Sequence, residues 1–138
     1  MMKTIALLAA VALVGGACAS QPPSEARERE VIAWRTLGSW SGRGSRQTES
    51  FTFESGTLRV RWQTQNETAP GAGTFRLVLR SAISGRQLAV AADQRGTGHG
   101  ESYIPEKPHS AYVLVESENI DWSFTVEEGM SGTVKSVH

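Results

Sequence analysis

Apolar and polar side chains alternate along much of the chain after Val31. Leu58, Val60 and Trp62, for example, are separated by arginine residues. An alternation with a period of two predicts a β-strand that buries one face and exposes the other. A short continuous apolar run predicts a strand buried on both faces. The segments with one of these patterns are 51–53, 58–62, 75–79, 112–115 and 122–126.

Turn-forming residues separate these segments at nearly regular distances. They occur in groups at 55–56, 69–73, 84–85, 96–100, 105–108 and 118–121. No segment after residue 31 keeps a helical period of 3.6 residues. About eight short strands separated by turns are typical of an antiparallel sandwich. We therefore predict an all-β fold, a single β-sandwich of jelly-roll or Greek-key type over residues 31–128, with a C-terminal tail over 129–138.

The N-terminus has the pattern of a secretory signal. A short, positively charged N-terminal region that includes Lys3 precedes an apolar run from Thr4 to Val14. That run is too short to cross a hydrocarbon core of ~30 Å as a helix. We therefore predict that residues 1–17 are a signal peptide that is removed on export.

Cys18 follows three small residues, and Val14–Cys18 resembles the lipobox of bacterial lipoproteins, with Gly15 where that family usually has leucine. The resemblance implies that Cys18 carries the lipid, palmitate included, and becomes the new N-terminus. Ala19 then implies sorting to the outer membrane if the cell is Gram-negative. The alternative is cleavage after Ala19, which leaves a secreted or periplasmic protein. Residues 18–30 are predicted to be the anchor cysteine and a flexible tether.

Three later segments, 73–79, 112–117 and 121–126, carry a second resemblance. Their strand patterning resembles that of small sandwiches in bacterial exported proteins, and the last two strands are similar to those of pre-peptidase C-terminal and CUB-like domains. Such domains are mostly accessory or binding modules. The resemblance therefore implies a β-sandwich with a binding role, and it assigns no functional residue.

The composition excludes several classes of function and partner. The 138 residues carry 14 basic and 14 acidic side chains and one cysteine. This length allows one domain, and zero net charge gives no reason to expect nucleic acid as a partner. A single cysteine cannot form an internal disulfide. Because ATP and nicotinamide chemistry is uncommon outside the cytoplasm, no cofactor is predicted.

Alternating arginines form the first candidate site, which consists of Arg59, Arg61, Arg76 and Arg80. If strands 57–65 and 73–81 form a hairpin, these side chains make one guanidinium patch. Guanidinium groups bind phosphate and carboxylate through two parallel hydrogen bonds, so this face is a candidate site for an anionic envelope polymer. The alternative is a solvated face whose charges are offset by neighbouring glutamates.

Tryptophans form the second candidate site. Trp34 and Trp40 are six residues apart and would face the same way on one straight strand. Two exposed indole rings on one face would form an aromatic platform for a sugar ring, whereas the alternative is packing at the edge of the core. Trp62 and Trp122 fall in the apolar phase of their strands and are predicted to lie in the core.

His99 and Glu101 form the third candidate site, in a glycine-rich segment that is predicted to be a loop. A histidine close to a carboxylate can act as a general base or bind a metal ion, and the alternative is a surface histidine. His109 and His138 are at no fixed ligand spacing from it. We therefore predict neither a metal site nor catalytic residues.

These patterns together predict an exported, lipid-anchored and non-enzymatic β-sandwich with a binding or structural role in the bacterial cell envelope. Its expected contacts are the membrane, through the N-terminal lipid, and an envelope polymer or another exported protein. One alternative is a small envelope hydrolase or metal-dependent enzyme that uses His99 and Glu101. The other is an inhibitor or partner protein that presents a loop or a sheet edge.

Overall fold

A computed structural model describes the backbone of residues 27–136 and the side chains of residues 32–132. Nine strands make up most of this part of the chain. They are β1 (Arg27–Arg43), β2 (Arg46–Gln47), β3 (Phe51–Phe53), β4 (Thr57–Gln65), β5 (Thr74–Ser81), β6 (Gln87–Arg95), β7 (Gly98–Pro105), β8 (His109–Glu118) and β9 (Asp121–Ser136). The described residues contain no helix that is long and apolar enough to cross a lipid bilayer. The predicted signal peptide, Cys18 and His138 lie outside them.

The strands form two antiparallel sheets that pack face to face within one compact unit, Ile32–Gly132. The four-stranded sheet has the order β1-β9-β4-β7. The five-stranded sheet has the order β2-β8-β5-β6, and β3 also pairs with β8. β2 and β3 follow one another along β8. They act as one interrupted strand, because Thr48 between them pairs with Val113 through backbone and side-chain hydrogen bonds.

When β2 and β3 are counted as one strand, the pairing is nested along the chain. β1 pairs with β9, β2 and β3 pair with β8, β4 pairs with β7, and β5 pairs with β6. This nesting of the first strand with the last is the jelly-roll topology. The prediction of a single all-β antiparallel sandwich is confirmed.

The core between the two sheets is rich in aromatic rings. Phe75 stacks on Trp122 with ring centroids 6.3 Å apart, and Trp122 contacts Phe124 at 5.6 Å. Trp122 Nε1 donates a hydrogen bond to the carbonyl oxygen of Gly44 at 2.9 Å, so its one polar atom is satisfied. Trp62 packs against Phe75 at 5.7 Å, as its apolar phase predicted. The aliphatic core residues include Leu58, Val60, Leu77, Leu79, Ile104, Val113, Val115, Ile120 and Val126.

Glu128 is a carboxylate inside one end of the sandwich. It has no exposed surface and accepts hydrogen bonds from the backbone N–H groups of Glu54 and Ser55, at 3.0 and 3.1 Å, and from Arg35 Nη2 at 2.6 Å. Burial alone would raise the pKa of Glu128. The hydrogen bonds from Arg35 and the two backbone donors outweigh burial, so the pKa lies below its usual value. The ionised side chain thereby fixes the turn between β3 and β4.

The segments with a clear alternation all lie within observed strands. They correspond to β3, β4, β5, β8 and β9. The strands β1, β6 and β7 have no clear alternation and were not predicted individually. The glycine-rich segment 96–100 was predicted to be a loop, but β7 already begins at Gly98. β1 starts at Arg27, within the predicted tether, and β9 continues to Ser136, within the predicted tail.

Candidate functional site

The four candidate arginines do not form one patch. β4 and β5 lie in different sheets, because residues 66–73 carry the chain from one sheet to the other and do not close a hairpin. Arg59 and Arg61 alternate with buried residues on β4 and so face outward from the four-stranded sheet. Arg76 and Arg80 face outward from the five-stranded sheet. The whole core therefore separates the two pairs.

Arg59 and Arg61 share one carboxylate, that of Glu127 on the neighbouring strand β9. Arg59 Nε lies 2.9 Å and Arg61 Nε lies 3.0 Å from Glu127 Oε1. Glu127 is almost fully buried, yet its pKa is lowered, above all by the hydrogen bond from Arg59 and also by the charges of both arginines. The carboxylate is therefore ionised at neutral pH and holds both guanidinium groups.

Two aromatic rings cover this ion pair. The guanidinium carbon of Arg59 lies 4.2 Å from the centroid of the Trp34 ring, a cation–π contact. Tyr103 pairs with Arg59 across β4 and β7, and its ring centroid is 6.0 Å from that of Trp34. Tyr103 remains 57% exposed. The charged cluster, as we call it, consists of Trp34, Arg59, Arg61, Tyr103 and Glu127.

Trp40 lies on the other face of the sheet from Trp34, so the structure does not bring the two candidate rings together. Trp40 stacks on Phe124 of the core, with ring centroids 5.2 Å apart. Leu37 also packs against the core. Because positions 37 and 40 differ by an odd number, the alternation along β1 shifts between them. A straight strand would have placed Trp34 and Trp40 on one face.

A polar groove runs along the outer face of the four-stranded sheet beside the charged cluster. Its floor is formed by the short side chains of β9, Ser123 and Thr125, which point away from the core. It consists of two adjoining depressions of about 380 and about 440 Å³. The hydroxyl groove, as we name it, is lined by Ser39, Ser41, Gln63, Gln65, Ser123 and Thr125.

Ion pairs close both ends of the hydroxyl groove. At one end is the charged cluster, through Arg61. At the other end Arg43 Nη1 donates a hydrogen bond to Asp121 Oδ1 at 2.9 Å. Asn66 also donates to Asp121, and these hydrogen bonds, that of Asn66 first, lower the pKa of Asp121. The groove thus lies between two sets of charges that are satisfied within the protein.

The outer face of the five-stranded sheet also has a depression, of about 430 Å³, but charged side chains line it, among them Arg76, Asp93 and Glu116. Arg76 Nη1 lies 3.2 Å from Glu116, and Arg76 Nε lies 4.0 Å from Asp93. Arg80 Nη1 donates a hydrogen bond to the carbonyl oxygen of Gly85 at 3.1 Å. Between these arginines, on the same face, Val78 has no exposed surface. Both candidate arginines of this face therefore have partners within the protein.

His99 and Glu101 lie on β7 and not in a loop. His99 is exposed and is directly opposite Gln63 of β4, at the side of the hydroxyl groove. Glu101 is opposite Arg61 and accepts a hydrogen bond from the Tyr103 hydroxyl at 2.9 Å. Among the side chains that the structure describes, no three His, Cys, Asp or Glu residues converge to hold a metal ion.

His109 belongs to β8 and contacts a buried serine. Ser81 Oγ accepts hydrogen bonds from the N–H groups of Ile83 and Ser84, so it donates its own proton to His109 Nε2 at 2.6 Å. Ser81 is only 1% exposed, and a ligand cannot reach its hydroxyl. The pair stabilises the turn between β5 and β6.

The candidate surface is therefore the charged cluster together with the hydroxyl groove. No protein-family model matches the chain, and no similar protein is found among curated sequences. Three of its members, Trp34, Arg59 and Arg61, are candidates from the sequence, and Glu127 is one of the glutamates that the alternative interpretation placed beside the arginines. Tyr103 and the small polar residues of β9 were not predicted. The polar phase of the 122–126 alternation contains two of those residues, Ser123 and Thr125, and was the available signal.

Proposed function

We propose that this protein is an exported, lipid-anchored binding module of the bacterial cell envelope, and that it holds an envelope polymer on the outer face of its four-stranded sheet. The observation that carries the proposal is the hydroxyl groove. It is an elongated depression on a rigid sheet, and it exposes several groups that can form hydrogen bonds. Sites built on strands keep a more constant geometry than sites built on loops.

The groove supports binding more than catalysis. An enzyme of this size would need a cleft that excludes water and brings titratable groups together. His99 is exposed at the side of an open groove, and Glu101 is engaged by Tyr103. Glu127 is held as a carboxylate by two arginines, so it has no proton to donate at neutral pH.

The N-terminal sequence supports the location. Small residues precede Cys18, and the polar segment after it leads to β1, which begins at Arg27. A lipid on Cys18 would hold the sandwich close to the membrane, within reach of polymers attached there. The structure does not describe this segment, so this part of the proposal depends on the sequence pattern.

The location is tested by labelling growing cells with radioactive palmitate. We expect label in the wild-type protein and none in Cys18→Ser, which should leave the membrane fraction. Incorporation in Cys18→Ser, or an unlabelled wild-type protein in the soluble fraction, would contradict lipid anchoring.

Binding is tested separately with the mature protein in detergent. Retention on peptidoglycan, lipopolysaccharide and neutral polysaccharides should be lost in Ser123→Tyr, because a tyrosine there fills the groove. Gln47→Tyr is the matched control, since it places the same ring at an exposed strand position of the other sheet. If both variants are retained as well as the wild type, the groove is not the binding site.

A further inference from the structure

We infer that the ligand of the hydroxyl groove is an uncharged, hydroxyl-rich glycan chain that lies along β9. This inference rests on the proposed function and names the class of ligand. The groove floor extends from Thr125 to Asp121, which is about 13 Å at about 3.3 Å per strand residue, the length of roughly two to three sugar rings. Three properties of the site support this assignment.

The first property is charge. Arg59 and Arg61 are both bound to Glu127, and Glu101 lies opposite Arg61, so two positive and two negative groups cancel. Arg43 is bound to Asp121 in the same way. An anionic polymer would have to displace these carboxylates from contacts of 2.9–3.0 Å. A neutral ligand meets no such competition.

The second property is the set of unused hydrogen-bonding groups. Within the described part of the chain, the side chains of Ser41, Gln63, Gln65 and Ser123 form no hydrogen bond. Hydroxyl and amide groups can both donate and accept. Sugar hydroxyls also do both, whereas the oxygens of phosphates and carboxylates only accept. The groove therefore matches a neutral sugar better than an anion.

The third property is an aromatic ring at the end of the groove. Tyr103 is more than half exposed, beside Trp34 and one strand from Arg59. Its hydroxyl is held by Glu101, which fixes the position of the ring. An aromatic ring offers an apolar surface next to polar groups, which suits the C–H face of a sugar.

Calorimetric titration of the mature protein tests this inference. The probes are cellohexaose and chitohexaose, which are neutral, and hexagalacturonate, which is anionic, each at 50 and 500 mM NaCl. We expect binding of at least one neutral hexamer, with a Kd that changes less than twofold between the two salt concentrations, because no net charge is involved. Dimers of that sugar should bind at least tenfold more weakly than trimers, and longer chains should add little.

Two variants locate the binding. Ser123→Tyr should weaken the Kd at least tenfold, and Gln63→Ala, which removes an amide without adding bulk, should weaken it at least threefold. Gln47→Tyr should leave it unchanged. Unchanged near-ultraviolet circular dichroism confirms that each variant is folded.

Three results would overturn the inference. Salt-sensitive binding of hexagalacturonate alone, lost in Ser123→Tyr, would show an anionic ligand and leave the binding role intact. If no hexamer binds while Ser123→Tyr still abolishes retention in an envelope extract, the ligand belongs to another class. If Ser123→Tyr changes neither the binding of a hexamer nor the retention in an envelope extract, the proposed function fails together with the inference.

Discussion

The two outer faces of the sandwich start from the same sequence pattern, a pair of arginines at alternating positions of a strand, and end as different surfaces. On the four-stranded sheet, both arginines turn to one buried carboxylate, and the neighbouring short side chains of β9 leave a groove. On the five-stranded sheet, Arg76 contacts two exposed acids and Arg80 contacts a backbone carbonyl, with Val78 fully covered between them.

The difference shows that the neighbouring strand decides what an alternating arginine pair becomes. Ser123 and Thr125 on β9 are small, so the surface beside Arg61 is concave. Leu114 on β8 lies opposite Val78 and fills the corresponding position on the other sheet. An arginine pattern therefore indicates a strand and its exposed face, and the partner strands determine whether the depression beside it is lined by hydroxyl groups or by charged groups.

The largest difference in stability between the two faces should come from asparagine substitutions at Val78, which is covered, and at Ser123, which lies in the open groove. Val78→Asn buries an amide without an assured partner and should lower the free energy of unfolding by about 2–4 kcal/mol. Ser123→Asn lies in the open groove and should change it by less than about 0.5 kcal/mol. Urea denaturation followed by tryptophan fluorescence measures both. Equal losses would mean that the two faces do not differ in burial.

Removing one carboxylate from each face, Glu127 or Glu116, should give the next largest difference in stability. Glu127→Ala leaves two arginines without their shared partner, one of them largely covered by Trp34, and should cost about 1.5–3 kcal/mol. Glu116→Ala removes a contact between half-exposed groups and should cost less than about 0.5 kcal/mol. The same denaturation experiment compares them. A larger loss in Glu116→Ala would reverse the ranking of the two faces.

The pH dependence of stability should report on the ionised state of Glu127. Because the pKa of Glu127 is lower in the folded protein, its stabilising contribution is complete above the unfolded pKa of about 4.3 and is lost as the pH falls through the folded pKa. The advantage of wild type over Glu127→Gln should therefore shrink as the pH falls below about 4.3. A curve for Glu127→Gln that runs parallel to that of wild type would contradict the lowered pKa.

The smallest effect should come from the long contact between Arg76 and Asp93. Their atoms are 4.0 Å apart, and the Asp93 side chain is 77% exposed. Asp93→Asn should change the free energy of unfolding by less than about 0.3 kcal/mol, and salt should remove even that difference. A loss as large as that of Glu127→Ala would show that this face has a stronger charge network than its geometry indicates.

The sequence was sufficient for the fold class because strand alternation is local. Leu58, Val60 and Trp62 face the core whichever strands lie beside them. The arginine patch depended instead on how β4 connects to β5, and an eight-residue connection is compatible with a hairpin or with a crossing between sheets. The prediction of one surface from Trp34 and Trp40 was wrong because the alternation shifts within β1. The shift lies beside Gly38, where a Cβ atom would collide with the Trp40 ring, and a glycine inside a strand often marks such an irregularity.

Glycine explains why the sequence predicts a loop at residues 96–100, where β7 begins. Gly96 has a φ of 81° and does form a turn. Gly100, in contrast, is inside the sandwich opposite Trp62, and a Cβ atom there would lie 2.7 Å from the indole ring. This glycine makes room for a large neighbour within a strand. Without the partner strand, the two uses of glycine look the same in the sequence.

The pairing of β1 with β9 has a consequence for the timing of folding. The first described strand of the sandwich, β1, has its hydrogen-bonding neighbour in β9, so the four-stranded sheet cannot close until β9 is available. For the exported chain that we propose, this order keeps the four-stranded sheet unfolded while the polypeptide crosses a narrow channel. The nested topology would then act as a delay, because completion of the four-stranded sheet waits until β9 has crossed.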